Sequence, residues 1–230
     1  MTEPFKYIEH RVTSIDDIVA DVKKIHLTYK NQCKPMIRGE DSVEFVPTPA
    51  IFRPHFNAAL EQQLFWEFLR HVPAYSSVDI THAWLVLSLA QHHGVPTRLL
   101  DWTTNPLVAT YFAVEKSATY DAAIWAVWGL QCEDRLPVSP FDITQPMQVT
   151  PVVVSPRVQV QSSIFTVHLD RRDFREHLAT DDSVLKIIIP AGLRDRLRQQ
   201  LEFLGITRAS LFPDLDGLGT WLRFRAQGIV

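Results

Sequence analysis

Residues 91–114, QHHGVPTRLLDWTTNPLVATYFAV, decide how the centre of this chain folds. Helices commonly end at a glycine with a proline shortly after it, and Gly94 and Pro96 stand in this order. Residues 79–93 are therefore predicted to form a helix that ends before Gly94. Residues 98–102 indicate a short extended strand, and Pro106 can start the next helix. The stretch therefore predicts a helix, a strand and a helix in succession, with polar side chains at the breaks.

Similar patterns on both sides of this stretch predict the rest of the fold. Apolar residues recur at helical spacing in three further segments, 13–29, 57–71 and 193–204, and the last of these is predicted to be the final helix. Strands are predicted at residues 35–39, 121–129, 151–154, 163–169 and 184–190. Most of the strand signal follows the first helices, so we expect a single α+β domain over residues 1–230.

The composition narrows the classes of protein to which this chain can belong. Its 230 residues, 46% of them apolar, suffice for one packed core. The net charge of −3 predicts no general attraction to phosphate backbones or anionic lipids, so strong nucleic-acid binding is not expected. The start MTEPFKYIEH lacks the features of a secretion signal, and no apolar run is long enough to span a membrane. We therefore expect a cytoplasmic protein with no membrane partner.

Two adjacent histidines end the helix predicted before Gly94. On a helix, His92 and His93 point about 100° apart, which makes them poor joint ligands for one metal ion. The two cysteines, Cys33 and Cys132, form no CxxC pair, so no metal site is expected. One imidazole is expected to act in a pocket as a hydrogen-bonding group or as a general acid or base, and the sequence leaves open which one.

Arg98, Asp101 and Trp102 follow the helix break, where α/β scaffolds commonly expose the groups that contact ligands. We expect Arg98 and Asp101 to contact a bound molecule and Trp102 to stack on a flat part of it. The structural alternative is a helix cap closed by a salt bridge between Arg98 and Asp101.

Two further candidates lie outside this stretch. Arg38 ends a predicted strand and is followed by Gly39, so its planar guanidinium could reach a phosphate or a ribose; the alternative is a surface arginine. Asp214 and Asp216 lie in the run LFPDLDG, residues 211–217, which a turn closed by an aspartate side chain would also produce.

Several stock motifs are absent from the sequence. It contains no GxxxxGK[ST] phosphate loop and no GxSxG nucleophile elbow, and the spacing around Asp216 fits neither a calcium loop nor a dinucleotide fingerprint. Kinase, ATPase and serine hydrolase chemistry are therefore not expected.

Four blocks of sequence together resemble the FRG domain family. They are MIRG at 36–39, the stretch 91–114, VQVQSSIFTVH at 158–168 and LGITRASLFPDLDGLG at 204–219. The blocks occur in order and span almost all of the chain. The first departs from the Phe-x-Arg-Gly-like start of the family at its aromatic position, where Met36 or Lys34 stands.

The order of the elements is similar, more distantly, to the plan of the ADP-ribosyltransferases. This resemblance implies N-terminal helices packed on a mainly antiparallel, split β-sheet. It also implies that Arg38 grips NAD, that the strand from Thr97 to Trp102 supports the nicotinamide ribose, and that Gln161 stands where a catalytic Glu lies in that plan. Because an amide supplies no negative charge, one of the aspartates named above would have to stabilise the oxocarbenium-like centre.

Two functions remain open. The first is an enzyme that transfers ADP-ribose to an unidentified macromolecule or cleaves NAD, in bacterial or phage conflict, as a toxin or a defence component. NAD is then the substrate, and no other cofactor is expected. Its expected catalytic residues are Arg38, His92, His93, Asp101 and Gln161, and its expected nucleotide contacts are Arg38, Gly39, Thr97, Arg98, Trp102, Asp214 and Asp216. The second is a non-catalytic module that recognises a nucleotide-like ligand or a protein through the same pocket. Magnesium-dependent chemistry at Asp214 and Asp216 is less favoured, because no phosphate-holding loop accompanies them.

Overall fold

A computed structural model of the protein describes residues 7–28, 35–130, 136–150, 155–171 and 183–228. Its strands are β1 (Ile8–Arg11), β2 (Met36–Glu40), β3 (Leu99–Thr103), β4 (Ala122–Val127), β5 (Met147–Val149), β6 (Ser163–Val167) and β7 (Val184–Ile189). Its α-helices are α1 (Ile15–Thr28), α2 (Glu61–His71), α3 (Ala83–His92), α4 (Pro106–Val114), α5 (Pro156–Val160), α6 (Arg194–Phe203), α7 (Arg208–Leu211) and α8 (Leu215–Ala226). The strand predicted at 151–154 and both cysteines lie outside the described residues.

One sheet holds these seven strands, in the order β1-β7-β4-β2-β3-β6-β5. β1 and β7 run parallel, and the other neighbouring pairs are antiparallel. The predicted α+β class and the mainly antiparallel sheet are therefore confirmed. The two halves of the sheet are not separate: β2 and β3, at its centre, stay joined through the pair Ile37–Thr103. This single pair is the whole ladder between β2 and β3, because the two strands diverge beyond it.

Helices α1, α4 and α6 cover the β1-β7-β4-β2 half of one face. The strands contribute Ile37, Ile124 and Ile187 to this core, and the helices contribute Ile18, Ala109 and Leu197. All six are almost fully excluded from solvent. Burial of each large aliphatic side chain contributes about 1.5–3 kcal/mol, so this core fixes α4 firmly against β2.

Helices α2 and α3 cover the other half of the same face. Phe65 and Leu87 pack there against Leu99 and Phe165. Leu99 shares its face of β3 with Thr103, the partner of Ile37, because alternate residues of a strand point to the same side. Two groups of helices therefore stand side by side on one face, above the narrow junction of β2 and β3.

Glycines fix the chain at two points near this junction. Gly94 adopts a φ of 82° after α3, where the N–H of Val95 donates to the carbonyl of Ala90 over 3.0 Å. At Gly39 a Cβ would lie 2.0 Å from the carbonyl oxygen of Ala109 and 2.6 Å from the amide nitrogen of Ala113. Helix α4 can therefore pack directly on the backbone of β2 only because residue 39 lacks a side chain.

Two predictions about the helices are wrong, the first residue of α3 and the identity of the last helix. The helix predicted from residue 79 begins at Ala83, because the Asp79 carboxylate accepts hydrogen bonds from the backbone N–H and the hydroxyl of Thr81 and holds a turn there. Helix α6 is not the last: α7 follows, and α8 begins behind Asp214, whose carboxylate accepts from the N–H of Gly217 over 2.6 Å. No helix in the described parts of the chain is long and apolar enough to cross a membrane.

Candidate functional site

A cavity of about 890 Å³ opens where β2 and β3 diverge. Helices α3 and α4, the loop after β2 and helix α5 form its walls. Among its lining residues are Arg38, Gly39, Gln91, His92, Asp101, Arg157 and Gln161. The structure thus brings together the arginine of β2, the end of α3 and the aspartate of β3, which are far apart in the sequence. The cavity has the size at which proteins enclose small organic ligands.

Arg38 spans the mouth of the gap between the two strands. Its Nη1 donates to the backbone carbonyl of Asp101 over 2.7 Å, and its Nε donates to the Glu40 carboxylate over 2.5 Å. Burial alone would lower the pKa of Arg38, but the negative charges of Glu40 and Asp101 outweigh burial and raise its pKa. The guanidinium therefore stays charged and is held in place by two partners on opposite sides of the gap.

Asp101 is the exposed residue of β3, and its carboxylate points into the cavity. Its Oδ2 accepts from the Gln91 side-chain amide over 2.8 Å. The amide oxygen of Gln91 accepts in turn from the Thr97 hydroxyl over 2.5 Å. Thr97 itself is 1% exposed and lies outside the cavity lining. Thr97 therefore cannot contact a ligand directly, and it instead orients Gln91, which orients Asp101.

The structure distinguishes the two histidines. His92 lines the cavity, whereas His93 is an exposed residue at the end of α3 and lies outside the lining. Burial lowers the pKa of His92, and the positive charges of Arg157 and His93 lower that pKa further, against opposing effects of Asp101 and Asp214. His92 is therefore neutral at neutral pH and can both donate and accept a hydrogen bond.

Arg157 enters the cavity from α5 and was not identified from the sequence. Its guanidinium lies 4.3 Å from the centre of the Phe212 ring. Burial lowers the pKa of Arg157, with Arg208 acting in the same direction and nearby carboxylates opposing both. No carboxylate of the described residues pairs with it at salt-bridge distance. A stacked, partly buried guanidinium without an anionic partner is the kind of group that binds a phosphate or a carboxylate.

The C-terminal block LFPDLDG supports this wall from behind. The backbone carbonyl of Leu211 accepts from the side-chain amide of Gln161 over 2.9 Å, and the guanidinium groups of Arg157 and Arg208 both lie over the Phe212 ring. Gly217 packs so closely that a Cβ would lie 2.0 Å from the carbonyl oxygen of Phe212. The block thus positions α5 rather than contacting the cavity itself.

Asp214 and Asp216 lie outside the cavity lining. Asp214 caps α8 through Gly217, which is the turn-closing role weighed as the alternative, and Asp216 is an exposed residue of that helix. Asp214 is close enough for its charge to raise the pKa of His92, but it does not reach the cavity. Direct nucleotide contacts by these two aspartates are therefore not supported by the geometry.

Arg98 also lies outside the lining, and the salt bridge to Asp101 that was weighed as the structural alternative does not form. Arg98 precedes β3, and its side chain turns towards α2. It pairs instead with the buried Glu61 of α2, over 2.8 Å, and its backbone N–H donates to the same carboxylate over 2.7 Å. Arg98 therefore fastens α2 to the start of β3.

Trp102 touches the cavity only with a small part of its surface. Its side chain is buried in the core on the opposite face of the sheet, at 3% exposure. Its indole N–H donates to the Thr166 hydroxyl over 2.8 Å. Too little of the ring is accessible to stack on a flat ligand, which corrects the prediction of a stacking platform.

Gln161 lines the cavity and is almost buried. Its backbone carbonyl accepts from the hydroxyl of Thr103, on β3, over 2.7 Å. Together with the bond to Leu211, this fixes the side chain where α5 meets the end of β3. Its amide oxygen accepts no hydrogen bond from a described residue, so it is available to a hydroxyl group of a ligand.

Further charged side chains line the rest of the cavity, and described groups hold two of its cations. Lys116 pairs with Asp41 over 3.0 Å, and the exposed Arg53 donates to the carbonyl of Thr48 over 3.2 Å. Within the described ranges, no group of three or more histidine, cysteine, aspartate or glutamate residues could hold a metal ion. The cavity is thus a mixed polar site, in which Arg157 and Asp101 are opposite charges that form no salt bridge with a described residue.

The family model of the FRG domain matches residues 34–122. The match runs from just before β2 to the start of β4 and includes Arg38, Gln91, His92 and Asp101. No curated protein and no solved structure matches the chain.

Proposed function

We propose that this chain, which belongs to the FRG domain family, binds an NAD-like dinucleotide in the cavity between β2 and β3. The observation that carries the proposal is the arrangement of Arg157 and Asp101. They present to the same cavity a cation that forms no salt bridge with a described residue and an accessible carboxylate. A dinucleotide offers the complementary groups, a negatively charged pyrophosphate and an electron-poor nicotinamide ribose.

Arg157 is the proposed pyrophosphate contact. Its guanidinium is partly desolvated, which strengthens a charge-assisted hydrogen bond to a phosphate oxygen relative to one in water. Stacking on Phe212 fixes its plane, so little side-chain entropy is lost on binding. His92, beside it, supplies an uncharged donor to the same end of the cavity.

Asp101 is the proposed partner of the nicotinamide ribose. Cleavage of NAD breaks the bond between the ribose C1′ and the ring nitrogen, and the electron pair leaves with neutral nicotinamide. The positive charge that develops on the ribose is stabilised by a nearby carboxylate. A water or acceptor nucleophile then bonds to C1′ and releases its proton to solvent or to that carboxylate. Gln91 holds the Asp101 carboxylate in place for this step.

The proposed ADP-ribosyltransferase-like plan draws support from the narrow centre of the sheet. The two halves diverge beside Arg38, the residue to which the resemblance assigns NAD binding. Gln161 lies at the edge of the same cavity, where its amide oxygen can orient a ribose hydroxyl. These features would let the cavity hold the dinucleotide across the gap between β2 and β3.

A non-catalytic binding module is the second candidate. The feature that favours it is the amide of Gln161, the residue that the resemblance aligns with the catalytic glutamate of a transferase. An amide can bind a hydroxyl group but cannot stabilise a cation by its charge. On this alternative the same residues bind the nucleotide and leave it intact.

A ligand panel followed by a turnover assay separates these possibilities. NAD and ADP-ribose are expected to raise the melting temperature of the protein, whereas Mg²⁺ alone is not. Nicotinamide release is then measured for the wild type, for Asp101→Asn and for Asp142→Asn, an exposed aspartate outside the cavity lining. Catalysis is supported if the wild type and Asp142→Asn release nicotinamide and Asp101→Asn does not. The non-catalytic module is supported if the wild type binds a nucleotide and releases no nicotinamide. If neither nucleotide stabilises the protein, the nucleotide site is ruled out in both forms, and a module that binds a protein is left.

A further inference from the structure

Helix α8 is amphipathic, but its larger apolar stripe faces solvent. Leu215, Leu218 and Leu222 are 85%, 41% and 50% exposed. Gly219 and Ala226 follow Leu215 by four and eleven residues, so they lie on the same side of the helix. The opposite side packs inward through Gly217, which contacts the backbone of Phe212.

The end of α6 extends this surface. The indole N–H of Trp221, on α8, donates to the Glu202 carboxylate over 3.1 Å, which ties the two helices together. The residues after Glu202 are Phe203, 90% exposed, and Leu204, also exposed. A concentration of exposed apolar side chains on neighbouring helices often marks an interface with another chain.

The charges beside the stripe favour one orientation of a partner helix. Asp216 and Arg223 are seven residues apart, so they lie on the same flank of α8, and neither forms a salt bridge with a described residue. If two copies of α8 pair antiparallel about a point near Gly219, residue 216 of each faces residue 223 of the other. In a parallel arrangement the same flank of each helix turns to opposite sides of the interface, so Asp216 and Arg223 could not pair in this way.

We propose that the chain forms a homodimer in which α8 packs antiparallel on α8 of a second copy. Leu218 then meets Leu222 of the partner subunit, and Asp216 pairs with Arg223 of the partner subunit at both ends of the interface. Gly219 lies near the two-fold axis, where a Cβ would have no neighbour within 4 Å in one chain, so the helices can approach closely. This inference is independent of what the cavity binds.

Sedimentation across a range of protein concentrations tests the proposal. The wild type is expected to reach twice the 26.4 kDa mass of one chain. Leu222→Glu places a charge in the apolar stripe and is expected to raise the dissociation constant of the dimer by about tenfold or more. Leu27→Glu, at an exposed leucine on α1, is the matched control and leaves the mass unchanged.

Charge reversal distinguishes the antiparallel dimer from other assemblies. Asp216→Arg and Arg223→Asp each create two like-charge contacts and weaken the dimer. The double variant restores opposite charges in both contacts and is expected to return the dissociation constant to near the wild-type value. Circular dichroism confirms that each variant is folded. A monomeric wild type at every concentration overturns the proposal, and so does a double variant that dimerises no better than the single ones.

Discussion

The guanidinium of Arg38 donates to the backbone carbonyl of Asp101 over 2.7 Å, across the point where β2 and β3 separate. The regular pairing of these strands is limited to Ile37 and Thr103. A side chain therefore takes over where the backbone ladder stops, and it satisfies a carbonyl that the neighbouring strand no longer reaches. The cavity exists because the central strands are held apart at one end and joined at the other.

Replacement of Arg38 is expected to destabilise the fold as well as the site. Arg38→Ala leaves the Glu40 carboxylate and the Asp101 carbonyl without their donor, and we expect a loss of about 1–3 kcal/mol in the free energy of unfolding. Arg38→Lys keeps the charge but not the two-sided geometry, so it should recover part of the loss. Urea unfolding measures both. An Arg38→Ala protein as stable as the wild type would show that the bridge contributes nothing.

Gly39→Ala is expected to be more damaging than a typical glycine substitution. The new methyl group would lie 2.0 Å from the carbonyl oxygen of Ala109, and backbone must move to admit it. We expect a loss of about 3 kcal/mol or more, or failure to fold. Gly192→Ala, where a Cβ meets nothing within 4 Å, is the control and should stay near wild-type stability. Equal thermal melting of the two variants would argue against close packing of α4 on β2.

The helix, strand and helix within residues 91–114 could be predicted from the sequence. The Gly94 stop of α3 and the Pro106 start of α4 depend on local backbone preferences, and the structure confirms both. α7 was missed because it is only four residues long, and α8 was missed because its apolar stripe faces outward and two glycines interrupt its sequence.

The residues of the cavity were harder to predict. The sequence pointed to Arg38, to Asp101 and to one of the two adjacent histidines, and Arg38, Asp101 and His92 do line the same cavity. Arg157 was missed because it lies on a short helix and depends on Phe212, far away in sequence, for its position. Arg98 was expected to contact the ligand because it lies close to Asp101 in sequence, whereas it pairs with Glu61, which lies on helix α2 and far away in sequence.

The pair of Glu61 and Arg98 should contribute strongly to stability. Their side chains are only 3% and 12% exposed, so Glu61→Gln leaves a buried guanidinium without a counter-charge. We expect a loss of about 3–5 kcal/mol in the free energy of unfolding, measured with urea. Arg11→Ala breaks the exposed pair with Asp121 and should cost less than about 1 kcal/mol. Similar losses for the two variants would contradict the structural role of Glu61.

His92 should make the stability of the protein depend on pH. Burial and the neighbouring Arg157 lower its pKa below the ordinary 6.5, so the unfolded chain takes up this proton more readily than the folded one. The wild type should therefore lose stability as the pH falls from 6.5 towards the lowered value, and His92→Gln should lose less over that interval. Melting temperatures recorded across this range measure the difference. Parallel pH profiles for the two proteins would contradict it.

Calorimetric titration with NAD and with ADP-ribose tests the proposed nucleotide site most directly. The wild type should bind at least one of them, and Arg157→Ala should weaken that binding by about tenfold to a hundredfold, the worth of a charge-assisted contact to phosphate. Arg70→Ala, which removes an exposed arginine of α2 outside the cavity lining, should bind like the wild type. No measurable binding by the wild type, or equal affinities for wild type and Arg157→Ala, would contradict a nucleotide held by Arg157.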